Sequence, residues 1–358
     1  MTATGVGVGL AAALFLVGVA LVIWCVEVFI EAVARSAVAF GISGFFLAVV
    51  LAGIDLENAV LGLTAAGVAL PDLALGTVFG EALFVLTVAV GLAGLLVPFE
   101  PRVPRAYLGL LLAVPIPAFA MSLDGTIGRA RGAVLLAAFV PLLAAIFWRE
   151  RGSETAYLLS GEVAEVVDRE DPQAADLEAN GGAGERAREA EDGGLELPDL
   201  DADEFVPDLE DRSGPFALGV AALATVGLTA GSLLTVVSAE QLFVAAGISG
   251  LAFGATVLSF VASIEELALT LEPVRRGQSH LAVGNVVGST VFYLTANVGL
   301  IALVRPIDAG GAVLTVHWPA LAAGLLVVTA MLARGRVTRG GGAALLGLYV
   351  LYWVLNYV

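Results

Sequence analysis

Two adjacent glutamates, Glu265 and Glu266, lie in the segment SFVASIEELA, in the middle of an otherwise largely apolar stretch. Three further acids, Asp55, Glu57 and Glu81, have similar apolar surroundings earlier in the chain. A carboxylate at the centre of a bilayer costs about 2.5–3.5 kcal/mol even on the most lenient insertion scale. We expect no arginine at the same depth, so a mobile cation or a proton must supply the counter-charge of these acids.

Neutral oxygen donors accompany the acids at helical spacing. Residues three apart share a helix face, as Ser263 does with Glu266 and Asp55 with Asn58. Carboxylate, hydroxyl and amide oxygens suit Ca²⁺ or Na⁺ rather than zinc or copper, and several carboxylates suit a divalent ion best. The predicted cation-binding residues are Asp55, Glu57, Asn58, Glu81, Ser263, Glu265, Glu266, Asn285 and Ser289.

The composition indicates that these residues belong to a membrane protein. The chain has 358 residues, of which 59% are hydrophobic and 14% charged, against about 45–50% and 25% in soluble globular chains. Apolar runs of about 18 residues or more, long enough to cross the hydrocarbon core as helices, recur along the chain. The predicted spans are residues 5–34, 40–67, 73–97, 104–122, 130–148, 214–238, 246–272, 281–304, 313–334 and 341–357.

An acidic segment divides the spans into a first half, residues 1–148, and a second half, residues 214–358. Between Glu150 and Asp211 it carries 21 of the chain's 34 acidic residues, with few aromatic ones. Such a composition buries too little apolar surface to fold alone, so we interpret residues 149–213 as a disordered solvating loop. A regulatory cation-binding loop is the alternative, but the segment has no EF-hand ligand pattern.

The two halves resemble each other in sequence. A stretch beginning with GISG at Gly41 matches one beginning with GISG at Gly247, and from the acidic motif onward the offset is a constant 208. The repeats cover residues 40–98 and 246–306. Each half has an odd number of spans, so the second half must be inverted relative to the first. The predicted fold is an all-α membrane protein with ten transmembrane helices in two inverted five-helix repeats, an architecture of transporters.

Arginines at the ends of the spans predict the orientation in the membrane. With the N-terminus outside, ten arginines flank cytoplasmic ends, and only Arg129, Arg131 and Arg305 flank outer ends. The opposite orientation reverses this ratio. We therefore expect a multi-pass cell-membrane protein with its N-terminus outside and its acidic loop in the cytoplasm.

Glycines and one tyrosine lie near the candidate site. Gly76 and Gly80, like Gly284 and Gly288, have the spacing of closely packed helices. The alternative interpretation is that these glycines bring backbone close to a polar centre. We interpret Tyr293 as a packing residue.

The motifs resemble those of the cation/Ca²⁺ exchanger superfamily, which includes the Na⁺/Ca²⁺ exchangers. Each repeat of that family resembles a G-T-S-x-P-E helix followed by a G-N-x-x-G-S-N helix. Here the second repeat reads VASIEE from Val261 and GNVVGST from Gly284, and the first reads GIDLEN from Gly53 and GTVFGEA from Gly76. The resemblance implies ten helices in two inverted halves, joined by a cytoplasmic loop.

By this resemblance, Glu266 occupies the position of the family's ion-binding glutamate. The family's hydroxyl and amide ligands correspond to Ser263, Ser289 and Asn285. The first repeat departs from the pattern: it also carries acids, but they occupy other positions of the motif. Its equivalent positions hold Asn58, Asp55 and Glu81, with Glu57 in place of the proline. The G-x-x-x-E spacing that ends at Glu57 is similar to that of the Ca²⁺/H⁺ branch.

The resemblance implies a secondary active antiporter rather than an enzyme, one that exchanges Ca²⁺ for Na⁺ by alternating access. An H⁺-coupled Ca²⁺ exchanger of the same fold is the first alternative. From another class, the alternatives are an intramembrane hydrolase that uses paired acids and a homologue that transports nothing. We expect inorganic cations and the lipid bilayer as partners, with no cofactor and no nucleic acid. The sequence leaves the oligomeric state open.

Overall fold

The computed structural model describes residues 5–39, 55–150 and 213–358. The rest of the predicted span 40–67, including the first GISG segment, and nearly all of the predicted acidic loop lie outside these ranges. The described helices are α1 (Gly5–Ala39), α2 (Leu56–Gly67), α3 (Pro71–Leu96), α4 (Arg105–Ser122), α5 (Arg129–Glu150), α6 (Gly214–Ala246), α7 (Gly250–Ala262), α8 (Ile264–Arg275), α9 (Ser279–Val304), α10 (Val313–Ala333) and α11 (Arg339–Leu355).

The helices confirm an all-α membrane protein. Within the described ranges, seven helices are long and apolar enough to cross a membrane, or eight if α7 and α8 form one bent span, and α11 is a shorter apolar helix. The predicted span 214–238 continues to Ala246, because the first strong stop signal is Gly247, whose φ of 70° ends α6. Proline at the first position of α3 marks that helix's start.

The predicted continuous span 246–272 is broken. Helices α7 and α8 meet at Ser263 with a bend of 48°. The break falls two residues before Glu265. Glu265 and Glu266 point in different directions on a regular helix, and an unwound helix at this point would bring both side chains toward one cavity. In the first half, α2 begins at the equivalent point, directly after Asp55.

Helix boundaries recur with the sequence offset of 208. Adding 208 to the ends of α2 gives the ends of α8, and adding it to the ends of α3 gives those of α9. Both α3 and α9 contain one π-helical turn, at Phe84–Ala89 and Phe292–Asn297, which again differ by 208. The sequence repeat is thus also a repeat of local structure.

Glycines allow the first half to pack directly on the second half. A Cβ on Gly76 would lie 2.9 Å from the amide nitrogen of Ala255 in α7, and one on Gly80 would lie 2.6 Å from the carbonyl oxygen of Ala255. From the other side, a Cβ on Gly254 would lie 3.0 Å from the amide nitrogen of Thr77. The predicted role of the first glycine pair in close helix packing is therefore confirmed.

Two further glycine contacts join the ends of α3 and α9 to their neighbours. A Cβ on Gly91 in α3 would meet the carbonyl oxygen of Gly342 in α11 at 3.1 Å. A Cβ on Gly299 in α9 would meet that of Gly132 in α5 at 2.8 Å. Gly91 and Gly299 differ by 208, so in each half the equivalent glycine packs directly against a helix of the other half.

Short backbone pairings close both ends of the bundle. Strand β1 (Thr126–Ile127) pairs antiparallel with β2 (Ile307–Asp308), and Phe99 forms an isolated bridge with Val337. Each pairing joins a loop of the first half to a loop of the second half. Phe99 and Ile307 are again 208 residues apart.

Candidate cation site

The first-half part of the site is built around Asp55, which caps α2. Its Oδ1 accepts a hydrogen bond from the amide nitrogen of Asn58 at 2.9 Å, and its Oδ2 accepts one from Nδ2 of Asn58 at 2.6 Å. An aspartate at this position satisfies a free amide at the helix start and lies in the favourable field of the helix N-terminus. The cap therefore fixes both side chains at one end of α2.

The second-half part is built around Glu266, in the first turn of α8. Its Oε2 accepts a hydrogen bond from Nδ2 of Asn285 at 2.6 Å. The hydroxyl of Ser289 lies 3.2 and 3.4 Å from the two carboxylate oxygens. Asn285 and Ser289 are one turn apart on α9, so a single helix face presents both donors to the glutamate.

Tyr293 joins the two parts. Its hydroxyl lies 2.6 Å from Oδ2 of Asp55 and 3.2 Å from Oε1 of Glu266, and it also lies 3.2 Å from Nδ2 of Asn58. The residue is fully buried. Our interpretation of Tyr293 as a packing residue was therefore incomplete, because its hydroxyl is the direct link between the carboxylates of the two halves.

Four side chains of the predicted set have buried oxygens without a hydrogen-bond partner in the described structure: Glu57, Asn58 (its Oδ1), Glu81 and Ser263. Glu81 is 0% exposed, and in the described structure neither of its carboxylate oxygens has a hydrogen-bond partner. Oε1 of Glu57 and the hydroxyl of Ser263 also have no partner there. A buried oxygen without a partner is costly, so such atoms mark positions where a missing ligand, a proton or water would bind.

The acids are close enough for their charges to interact. Glu57 experiences the charges of Glu265, Asp55, Glu81 and Glu266, and Glu81 experiences those of Asp55 and Glu266. Hydrogen bonds connect Asp55, Asn58, Glu266, Asn285 and Ser289; charge interactions add Glu57, Glu81 and Glu265; and Ser263 lies at the adjoining helix break. The structure thus brings the nine predicted residues into one region.

The cluster is not a preformed metal cage. Across the described residues, no three Asp, Glu, His or Cys side chains surround a common point at metal-binding distance. The hydrogen bonds of Asp55 and Glu266 to neutral donors occupy part of their coordination capacity. The arrangement can hold a cation once those bonds exchange for ion contacts.

Sequence reasoning missed three residues of this region. Thr270 lies 3.3 Å from Nδ2 of Asn285, and Nδ2 of Asn297 lies 3.4 Å from the carbonyl oxygen of Asn58. Tyr293 is the third. Thr270 is four residues after Glu266, and Asn297 is four after Tyr293, so the i, i+4 helical rule could have found both.

Comparison with known proteins gives one family. The family model for the sodium/calcium exchanger protein matches residues 10–148 and 216–358. The chain is 28% identical over 301 residues to the inner membrane protein YrbG of Escherichia coli (strain K12), covering 83% of this chain and 81% of YrbG. It is 26% identical over 305 residues to CaxA of Alkalimonas amylolytica, covering 83% and 82% of the two chains.

Solved structures of the sodium-calcium exchanger NCX_Mj have a similar fold. The form soaked with 2.5 mM Na⁺ and 0.1 mM Sr²⁺ superposes with a TM-score of 0.53 at 20% sequence identity. The match covers 96% of this chain and 98% of that one. At this level of identity, the match supports a common fold.

Proposed function

The chain belongs to the sodium/calcium exchanger protein family, and we propose that this cation antiporter exchanges Ca²⁺ for Na⁺ at the acidic cluster between its two halves. As a member of that family it is a multi-pass membrane transporter of inorganic cations and not an enzyme. The observation that carries the proposal is the link between Asp55 of the first half and Glu266 of the second through the Tyr293 hydroxyl.

The oxygen chemistry of the cluster favours Ca²⁺ as the ion that binds there. The donors are carboxylates, amides and hydroxyls, which hard cations prefer, and the cluster contains no thiolate or imidazole among its nine predicted residues. Asp55 and Glu266 together would neutralise one divalent ion. Two Na⁺ ions on the same oxygens would carry an equal charge, which is the basis for exchange.

We propose ten transmembrane helices in two inverted five-helix repeats, with α7 and α8 forming one span. The repeated boundaries of α2 with α8 and of α3 with α9 support this arrangement, as do the equivalent glycine contacts. In inverted-repeat transporters, broken helices meet near the midplane, and one repeat rocks against the other around the ion site. The start of α2 after Asp55 and the break at Ser263 would be those points.

We also propose the domain organisation and orientation predicted above. Residues 1–148 and 214–358 would form the two halves, with an N-terminus outside and a cytoplasmic acidic loop at residues 149–213. A single cysteine introduced at Ser213, with Cys25 replaced by serine, should react with an impermeant maleimide only from the cytoplasmic side. Labelling only from the outside would reverse the orientation.

An H⁺-coupled exchanger remains the second candidate. The buried oxygens of Glu57 and Glu81 that lack partners in the described structure favour it, because a proton can neutralise a buried carboxylate as a cation does. The five acids also exceed the charge that one Ca²⁺ needs. This candidate uses the same site and fold but a different driving ion.

Proteoliposomes containing the purified chain separate the candidates. An outward Na⁺ gradient at equal pH should drive ⁴⁵Ca²⁺ uptake, and a pH gradient without Na⁺ should not. Uptake driven by the pH gradient alone would favour H⁺ coupling. No gradient-driven uptake of any tested cation would contradict transport at this site.

A further inference from the structure

A groove lies on the surface of the second half, between the end of α10 and the start of α11. Its volume is about 570 Å³. Its apolar wall includes Leu326, Val327, Ala330 and Met331, and its polar end carries Arg334 and Arg336 with Thr338 and Gly341. Leu326 is 60% exposed and therefore faces the lipid.

The two arginines of the groove, Arg334 and Arg336, have no acidic partner within the described ranges. Among the residues that the structure describes, neither Arg334 nor Arg336 forms an ion pair. By contrast, Arg276 at the end of α8 is bound by Glu272, with Nε 2.8 Å from Oε1. The groove therefore combines an apolar channel with uncompensated positive charge at one end.

The first half contains an equivalent turn with different side chains. The turns before α5 and α11 correspond with an offset of 210, since the helices begin at Arg129 and Arg339. Glycines at the same offset, Gly125 and Gly335, both have positive φ, at 86° and 67°. The two turns thus have matching backbones, and their side chains can be compared one by one.

The comparison shows two replacements at the groove. Where the second half has Arg334, the first half has Asp124, and where the second half has Gly341, the first has Arg131. The Arg131 guanidinium binds Asp124, donates to the carbonyl oxygens of Thr126 at 2.7 Å and Met121 at 3.1 Å, and holds the pKa of Asp124 below its ordinary value. In the first half, one ion pair therefore closes the turn.

Met331 fills the equivalent space in the second half. A Cβ on Gly341 would lie 2.6 Å from the Met331 methyl carbon and 2.9 Å from its sulfur, so this position cannot carry the arginine of the first half unless Met331 moves. Met331 instead forms part of the groove wall. Since Arg334 replaces the acid of the first-half pair and Gly341 replaces its arginine, no ion pair closes this turn among the described residues.

We propose that this groove binds one anionic phospholipid, with its phosphate on Arg334 and Arg336 and an acyl chain along Leu326, Val327 and Ala330. Guanidinium groups bind phosphate oxygens with strong, charge-assisted hydrogen bonds. The apolar wall can contact an acyl chain, whereas a bare anion would make no favourable contact with it. The orientation proposed above puts the groove on the cytoplasmic side, where anionic lipids attract arginines near the surface.

Native mass spectrometry of the full chain, with phosphatidylglycerol and phosphatidylcholine of the same acyl chains in equal amounts, tests the site. The wild type should retain one phosphatidylglycerol in preference to phosphatidylcholine. Changing Arg334→Gln and Arg336→Gln should each weaken this preference by roughly fivefold. Arg276→Gln, which removes a paired arginine elsewhere, should leave it unchanged.

A second pair of variants tests the groove without touching its charge. Gly341→Leu should displace the Met331 side chain into the groove and reduce phosphatidylglycerol retention, whereas Gly347→Leu on the same helix, where nothing lies within 4 Å of a Cβ, should not. Equal retention of both lipids by the wild type, or unchanged retention in both Arg334→Gln and Gly341→Leu, would overturn the proposal. Displacement of the lipid by millimolar inorganic phosphate would indicate a bare anion site and would also overturn it.

Discussion

The hydroxyl of Tyr293 lies 2.6 Å from Oδ2 of Asp55, although the two residues are 238 positions apart in the sequence. The same hydroxyl lies 3.2 Å from Glu266. A hydroxyl has one proton and can donate to only one of these acids at a time. Tyr293 can therefore bond both acids at once only when one of them is protonated and donates to the hydroxyl oxygen.

Replacing Tyr293 by phenylalanine tests that role. The ring and its packing remain, but both acids lose the hydroxyl that lies between them. Hydrogen bonds to charged groups contribute roughly 1.5–3 kcal/mol, so the variant without added cation should unfold at a lower temperature than the wild type in detergent. Saturating Ca²⁺ should remove part of the difference, because the ion replaces the lost hydrogen bond.

The control for this prediction is Tyr357→Phe. Its hydroxyl bonds Thr256, away from the acidic cluster, so any loss of stability there should be insensitive to Ca²⁺. If Tyr293→Phe is as stable as the wild type without cation, the bridge contributes nothing.

The unpartnered hydroxyl of Ser263 gives a prediction about ligands. Ser263→Ala removes an oxygen that has no hydrogen-bond partner in the described structure, so the cation-free protein should keep its stability. If that oxygen contacts the ion, the Ca²⁺ concentration for half-maximal thermal stabilisation should rise by roughly fivefold or more. Ser259→Ala is the matched control, because that hydroxyl bonds the carbonyl oxygen of Thr256. Equal Ca²⁺ responses in the two variants would remove Ser263 from the ligand set.

Transport should weaken at low pH. Protons and Ca²⁺ compete for the same carboxylates, because crowded acids repel one another until a proton or a cation neutralises one of them. The apparent KM for Ca²⁺ should therefore rise as pH falls and return when pH is raised. Uptake rates in proteoliposomes with equal pH on both sides measure this. An apparent KM independent of pH between about 5 and 8 would mean that these acids do not compete for protons.

The glycine contact between the halves predicts a steric effect. Gly254→Ala puts a Cβ 3.0 Å from the amide nitrogen of Thr77 and 3.2 Å from Cα of Gly76. Overpacking of this kind costs roughly 1–3 kcal/mol, and it should lower the unfolding temperature and the exchange rate together. Gly109→Ala, an exposed helical site with nothing within 4 Å, should be neutral or stabilising. Normal stability and rate in Gly254→Ala would show that the helices can separate at no cost.

Much of the fold was predictable because the bilayer imposes simple rules. Apolar runs predicted the described spans to within a few residues, except at Ala246 and at the break before Glu265. The constant offset of 208 predicted that α2 and α3 would recur as α8 and α9. Acids in an apolar context identified Asp55, Glu57, Glu81, Glu265 and Glu266, since burial of charge needs a reason.

The remaining features depend on distant contacts or on small differences between the halves. In the sequence, Tyr293 looks like one more apolar residue of its helix. Its hydroxyl has a binding role only because the fold brings Asp55 next to it. The open groove depends on Gly341 and Arg334, which differ from Arg131 and Asp124 at an offset of 210 rather than 208. That equivalence becomes clear only when the starts of α5 and α11 are known.

The most direct test of the cation site is ⁴⁵Ca²⁺ uptake into vesicles carrying an outward Na⁺ gradient, with variants of single glutamates. Glu266→Gln removes the carboxylate that Asn285, Ser289 and Tyr293 surround. It should reduce uptake by at least about tenfold, and Glu57→Gln should cause the next largest loss. Glu272→Gln, six residues further along α8 in an exposed pair with Arg276, should transport normally. Normal uptake in both Glu266→Gln and Glu57→Gln would contradict the assignment of transport to this cluster.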